Sequence, residues 1–439
     1  MKKSSAKMTW LILAHCYNMD GRAASQTITD RIPFLRKKGV TPVVISAPTG
    51  RKDVDYPHYQ VFSPAPSGLK FELRHVMKSR TQDTLPGRII NLLLTMIILP
   101  FFLMEKTIIH LDSHWSWLLS ASLYGIFIIP KHRPELIYST AGPSSTHYTG
   151  LILSRLFKLP WVAELHDPLI YDNQTTKWHK YFFHKYLEKL VFRYADKIVY
   201  FTDQASAKAL KRNPGFPDKL IVIRPGASPA ENWAQTYQKQ EKIHFGYFGS
   251  LASRRNLKKV FKAFHDLLQE EPDLSRQVAI DIYGTTLDPV TSQAMEVYHL
   301  KDIVTVHGRL EYDPTTGKTG REQVLEAMKR MDVLILVHGD DIFRCDEYIP
   351  SKLYDYMLVQ RPILGLTHPG SELQTMLEEN SFFAADSQKE GEIKSTLQNL
   401  ISQWKDSGLP DFEHASPLTV KGAVTKLMST RDDLLKKAT

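Results

Sequence analysis

Two carboxylates, Glu347 and Asp355, bracket a helix start in DEYIPSKLYDY, residues 346 to 356. Proline suits the first turn of a helix, where its missing N–H costs nothing, so Pro350 predicts a helix reading SKLYDYMLV. Leu353, Tyr356 and Met357 fall at helical spacing and are expected to face the core. The open amides at the helix start would favour an anion, and Lys352 adds charge. A carboxylate on each side of such a site can accept hydrogen bonds from hydroxyls. A solvated surface loop would carry the same residue types, so the pattern alone leaves both readings open.

Other groups suggest related chemistry. In GYFGSLASRRNLKKVFKAFHDLL (246–268) an apolar strand ends at Gly249, a short loop carries Arg254 and Arg255, and an amphipathic helix follows. Glycine permits close approach of a ligand to the backbone, and arginine forks match phosphate oxygens. An exposed basic helix start is the competing reading. WVAELHDPLIYDN (161–173) ends a strand in His166-Asp167-Pro168, which fits either a substrate contact or a capped turn. Gly21 and Arg22 follow the first apolar run in the same way.

Several familiar chemistries are excluded. TTGKTG (315–320) holds a Gly-Lys-Thr, but a phosphate-cradling P-loop needs glycine where Tyr312 stands. GPSST (142–146) lacks the G-x-S-x-G of a nucleophile elbow, and no G-x-G-x-x-G occurs. HLDSH (110–114) sets His110 and His114 one helical turn apart around Asp112, with no third ligand at a telling position, so no metal site is expected.

The elements that must position these residues alternate along the chain. Apolar runs WLILA, TPVVISA, ELIYST, PWVAEL, KIVYFT and LIVIR are separated by amphipathic stretches as far as residue 224. A polar, aperiodic segment at 226–242 reads as a linker. The alternation then restarts with IHFGYFGS, VAIDIYG, IVTVHG, DVLILVHG and RPILGLT. Parallel strands buried on both faces look like this, with crossover helices between them. The expectation is an α/β protein of two Rossmann-like, doubly wound domains facing a cleft, over 1–225 and 243–410. A C-terminal helix over 411–439 can pack back on the first domain. In such sheets ligands bind outside the carboxyl ends of the strands, and small and polar residues gather there in both halves.

Composition bounds the rest. The 439 residues carry a formal charge of +9, which favours anionic partners such as phosphate-bearing substrates, an anionic membrane surface or nucleic acid. Cys16 and Cys345 are the only cysteines, so a disulfide framework is excluded and a reducing cytoplasm fits. The basic N-terminus leads into a short apolar run with His15 behind it, which reads as a first strand and not a secretory leader. IINLLLTMIILPFFLM (89–104) falls short of a membrane span. A buried or domain-packing helix and a monotopic dip into a membrane face both remain open.

Taken together, the chain resembles a GT-B glycosyltransferase of the retaining family 4 type. Glu347 and Asp355 match that family's E-x7-E motif, with aspartate in second place, and PSKLYDYMLVQRPILGL resembles its P-x-K-x-x-E-Y-x-x-x-x-x-P-I-L pattern. GYFGSL with its arginine-bearing helix resembles the start of the donor domain. ELIYSTAGPSSTHYTGLILSRLFKLPWVAELHDPL resembles the acceptor domain of bacterial surface-polysaccharide members. The resemblance implies a nucleotide-diphosphate sugar donor, a lipid-linked or saccharide acceptor, no cofactor, no essential metal and no nucleic-acid partner. The basic charge and the 89–104 stretch in turn point to a cytoplasmic place at the inner face of the cell membrane. By that resemblance Glu347 lies near the donor sugar with His166 and Asp167 as its catalytic companions, and Asp355 binds the ribose. Arg254, Arg255 or Lys258 hold the diphosphate, with Gly21, Gly249 and Lys352 lining the donor site. The Gly-Gly pair common near Gly21 is absent, and His166 stands where close relatives often have arginine. A non-catalytic GT-B-like protein that binds a glycan or a partner enzyme is the alternative.

Overall fold

The computed structural model describes residues 8–438 apart from 20–21, 82–84, 110, 113, 141, 172–177, 229–238, 285, 341–344, 407–408 and 410–417. The chain forms two compact units, Met1–Arg224 with Val420–Thr439, and Pro225–Thr419.

In the first unit the strands are β1 (Met8–Leu13), β2 (Val40–Ser46), β3 (His58–Gln60), β4 (Leu136–Ser139), β5 (Trp161–Leu165), β6 (Lys197–Tyr200) and β7 (Leu220–Val222). They form one parallel sheet in the order β3-β2-β1-β4-β5-β6-β7. Its helices are α1 (Ala23–Lys37), α2 (Pro66–Thr81), α3 (Leu85–Ile108), α4 (Trp117–His132), α5 (Ser144–Phe157), α6 (Trp178–Tyr194) and α7 (Asp203–Arg212).

The second unit holds β8 (Ile243–Gly249), β9 (Val278–Gly284), β10 (Val304–Gly308), β11 (Val333–Val337), β12 (Ile363–Thr367) and β13 (Phe383–Asp386), parallel in the order β10-β9-β8-β11-β12-β13. Around it lie α8 (Lys258–Glu270), α9 (Pro289–Val297), α10 (Gly320–Lys329), α11 (Lys352–Val359), α12 (Glu372–Glu379) and α13 (Glu390–Asp406). The last helix, α14 (Val420–Ala438), returns to the first unit, where Val424 and Leu427 join Ile28, Ile32 and Leu35 of α1. Arg431 on α14 forks onto Glu135 at 2.9 Å.

The apolar runs became strands because both faces of each sheet are covered, leaving Leu11, Ile12, Val162 and Ile335 fully buried. The strands absent from the sequence reading, β3 and β13, are short, and their sequences HYQ and FAAD carry no aliphatic run. Ala227, within the expected linker, is buried and donates its N–H to the Leu418 carbonyl at 3.0 Å inside the second unit; residues 229–238 lie outside the described residues. In each sheet the strand order reverses once, between β1 and β4 and between β8 and β11. These are the switch points where doubly wound sheets take ligands.

The stretch 89–104 is not a buried packing helix. Within α3, Leu92, Ile97 and Phe101 are exposed, with Ile97 at 65%. Among the described residues, no helix is long and apolar enough to cross a membrane.

Layer contact is tight where α5 crosses the sheet. A Cβ at Gly150 would sit 2.6 Å from Trp161 Nε1, whose N–H donates to Ser139 Oγ at 2.8 Å. Gly150→Ala is therefore predicted to destabilise the first unit by about 1–3 kcal/mol through overpacking, read as a lower urea midpoint. An unchanged midpoint would contradict this packing.

Candidate functional site

The second unit's switch point is built by backbone before any side chain reaches it. Gly249 ends β8 at φ +117°, paired with Gly284 at φ +134°, and a Cβ on Gly284 would lie 2.4 Å from the Gly249 carbonyl oxygen. Only glycine tolerates that approach. The loop beyond folds tightly, with Ala252 and Arg255 exchanging backbone hydrogen bonds at 3.0 and 2.7 Å. This turns Arg255 back so that Nη2 donates to the Ser250 carbonyl and Oγ at 3.2 and 3.1 Å.

Helix α11 is pinned beside this loop. The Tyr356 hydroxyl accepts from Phe248 N–H at 3.1 Å and donates to the Ile335 carbonyl at 3.2 Å. One turn earlier, Lys352 Nζ donates to the Phe248 carbonyl at 3.1 Å and lies 3.8 Å over the Tyr247 ring. Burial pushes the Lys352 amine well below its ordinary range, and the charge of Arg255 pushes the same way. Gly249, Arg255 and Lys352 thus meet at the end of β8. Pro350 lies just ahead of the helix and not in its first turn; its carbonyl accepts from Leu353 N–H at 2.9 Å.

The loop after β11 completes the surround. Glu347 is buried at 1% exposure. Its neighbour Tyr348 accepts at its carbonyl from His338 Nε2–H at 3.2 Å. Because a carbonyl only accepts, the His338 proton sits on Nε2. Its buried Nδ1 is left as an acceptor with no partner among the described residues. Burial brings His338 down to about 4, with His368 and Arg255 adding to it against the Tyr348 hydrogen bond. His368 Nε2–H donates to the Gly339 carbonyl at 2.7 Å, and Asp340 N–H donates to the Arg254 carbonyl at 2.7 Å. The loops after β8 and β11 therefore touch.

The remaining expected residues fall differently. Asp355 is taken up by Arg321 Nη2 of α10 at 3.2 Å; burial raises its carboxyl and Arg321 opposes the rise. Arg254 is exposed on the loop, and Lys258 is exposed as the first residue of α8. Gly21 lies outside the described residues. His338, His368 and Arg321 were not among the expected site residues. A signal existed for His338, near the end of the apolar run DVLILVHG, and for α10, whose capping box pairs Thr319 of the rejected TTGKTG segment with Glu322 just beyond it. Nothing local announces the pairing of Arg321 with Asp355.

In the first unit His166 lies beyond the end of β5. Its Nε2 is 3.1 Å from Glu164 Oε1 and 3.0 Å from Thr140 Oγ1, and Asp167 beside it is exposed. Glu164 is fully buried against Arg31, which also donates to Tyr138 Oη at 2.7 Å. Burial works against the Glu164 charge, but Arg31 and His166 together outweigh it and hold the carboxyl well below the usual carboxylate range. The expected catalytic pair is thus attached to a buried ion pair. Arg31→Met leaves a buried carboxylate uncompensated, so a loss of about 3–5 kcal/mol is expected in denaturant unfolding. Adding Glu164→Leu should recover part of it; a neutral single variant would contradict the pairing.

No known protein-family profile matches the chain, and no curated protein matches it. Solved structures do. Sucrose-phosphate synthase from Thermosynechococcus elongatus is 12% identical, with 98% of this chain and 100% of that chain covered at a TM-score of 0.63. An α,α-trehalose 6-phosphate synthase from Burkholderia multivorans is 11% identical over 99% and 100%, at 0.61. The UDP-GlcNAc 2-epimerase from Neisseria meningitidis, bound to UDP-GlcNAc, is 11% identical over 98% and 100%, at 0.50. At such identities the likeness concerns the fold alone, and the chain has the GT-B fold.

Proposed function

We propose that the protein is a retaining glycosyltransferase that moves a sugar from a nucleotide-diphosphate sugar to a lipid-linked or saccharide acceptor in surface-polysaccharide synthesis. The observation that carries this reading is the meeting of Gly249, Arg255 and Lys352 at the switch point of the second sheet. Breaking the bond between the anomeric carbon and the diphosphate oxygen leaves charge on the diphosphate. Fixed cations stabilise that charge without reorganising, and no metal is assigned to this step. Arg254 and Lys258 extend the basic surface to the rest of the diphosphate. The acceptor oxygen bonds to the anomeric carbon on the face the leaving group vacates, and its proton passes to the departing phosphate oxygen. Glu347 is assigned to the donor-sugar hydroxyls, and Asp355, oriented by Arg321, to the ribose. His166 and Asp167 are assigned a catalytic role.

Binding and turnover separate these roles. Lys352→Met is expected to weaken binding of a nucleotide diphosphate by roughly tenfold or more, the worth of one charge-assisted contact. Glu347→Gln should keep that affinity and lower transfer by about a hundredfold or more. Unchanged turnover in folded Glu347→Gln would remove it from the site. A pH test follows from the depressed Lys352 amine. A bound diphosphate restores its ordinary basicity, so binding takes up a proton once the free protein has lost it. Affinity should then fall as pH rises towards 10.5. Lys352→Met should lack that alkaline limb, and a limb that persists in it would contradict the assignment.

The location proposed is the cytoplasmic face of a membrane. Exposed apolar side chains occur on α3, and α4 exposes Leu123 and Phe127, Phe127 at 69%. With a formal charge of +9, such a surface suits an anionic bilayer. The protein is expected to float with anionic vesicles, and Leu92→Glu with Ile97→Glu to stay in the soluble fraction. Wild type wholly soluble with anionic vesicles would contradict the proposal.

An epimerase is the second reading, because the fold is shared with UDP-GlcNAc 2-epimerases. Isomerisation of a sugar nucleotide in the absence of any acceptor would favour it. A non-catalytic binding role would be favoured by glycan binding without turnover.

A further inference from the structure

His15, Glu72 and His114 come together at the other switch point, beyond the carboxyl end of β1 in the first unit, and their ligand atoms all lie within 4.8 Å of one another. Each comes from a different part of the chain: His15 follows β1, Glu72 is on α2, and His114 is in the turn between α3 and α4. His15 and Glu72 are fully buried, with His15 Nε2 3.3 Å from Glu72 Oε1. His114 Nδ1 is buried with no hydrogen-bond partner among the described residues. His110, the other histidine of HLDSH, lies outside the described residues.

We propose that His15, Glu72 and His114 bind one zinc ion, which clips α2 and the α3–α4 turn to the end of β1. Two imidazoles and one carboxylate form a donor set that suits zinc, and the set leaves the fourth tetrahedral position to a non-protein ligand. Donors on a tetrahedral zinc stand about 3.3 Å apart, from bonds of about 2.0–2.1 Å, which is the His15–Glu72 separation already present. Supporting contacts hold the ligands. Ser63 N–H and Oγ donate to the two Glu72 oxygens at 2.7 and 2.5 Å, and His15 Nδ1 lies 3.7 Å from Cys16 Sγ. Asp112 Oδ1 accepts from His114 N–H at 2.9 Å and fixes the turn. Such outer contacts orient ligands and set their tautomers. Phe71 and Trp117 wall the cluster with ring edges, at 4.7 Å from His114 and 5.4 Å from His15. This inference stands apart from the glycosyltransferase reading and survives its failure.

The test uses tag-free full-length protein, stripped with chelator and dialysed into metal-free buffer. Zinc chloride should bind one ion per chain by calorimetry and raise the melting temperature by several degrees. Cobalt(II) should give the intense visible absorption of a tetrahedral site. His114→Ala should lose roughly a hundredfold or more in zinc affinity. His75→Ala, on α2 but outside the trio, should keep it. No zinc uptake by wild type, the pale spectrum of octahedral cobalt, or full affinity in His114→Ala would overturn the proposal. Should His114→Ala not fold, the wild-type stoichiometry and cobalt spectrum decide alone.

Discussion

The hydroxyl of Tyr356 settles the geometry of the second unit's switch point. The β8–β11 ladder ends at Tyr247 and Ile335, where the two strands part at the switch point. The next N–H, of Phe248, and the Ile335 carbonyl would be left buried without a strand partner, at about 1–3 kcal/mol each. One phenol takes both. It can do so only if α11 lies against the gap, and that placement sets Lys352 on the Phe248 carbonyl one turn earlier. The Gly249–Gly284 approach then keeps the strand ends clear of any Cβ. The cation site is in this sense a consequence of how a parallel sheet closes its own hydrogen bonds.

The two switch points are furnished with opposite chemistry. The second sheet offers Lys352 and Arg255, which suit an oxyanion, whereas beyond β1 in the first sheet stand two imidazoles and a carboxylate, which suit a cation. The same doubly wound topology accommodates either, because only the residues after the strands differ.

Much of this was legible in the sequence where the physics is local. Strands buried on both faces announce themselves as apolar runs, and Gly249 and Lys352 were legible from a strand end and a helix start. Strands β3 and β13 were not, since HYQ and FAAD lack the aliphatic run that marked the other edge strands, β7 and β10. Pairings across long separations left no local trace: Arg31 with Glu164, Arg321 with Asp355, and His15 with Glu72 each join positions whose neighbours say nothing of the partner. The stretch 89–104 shows a different limit. Its hydrophobicity reads equally as core or as an apolar exterior, and only the exposure of residues such as Ile97 distinguishes them.

The central claim is that the second unit binds a nucleotide diphosphate at the end of β8. Calorimetric titration of the full-length protein with UDP, GDP and ADP tests it most directly. The account predicts saturable one-to-one binding of at least one of them, weakened in Lys352→Met. No heat from any of the three with folded wild-type protein would contradict it.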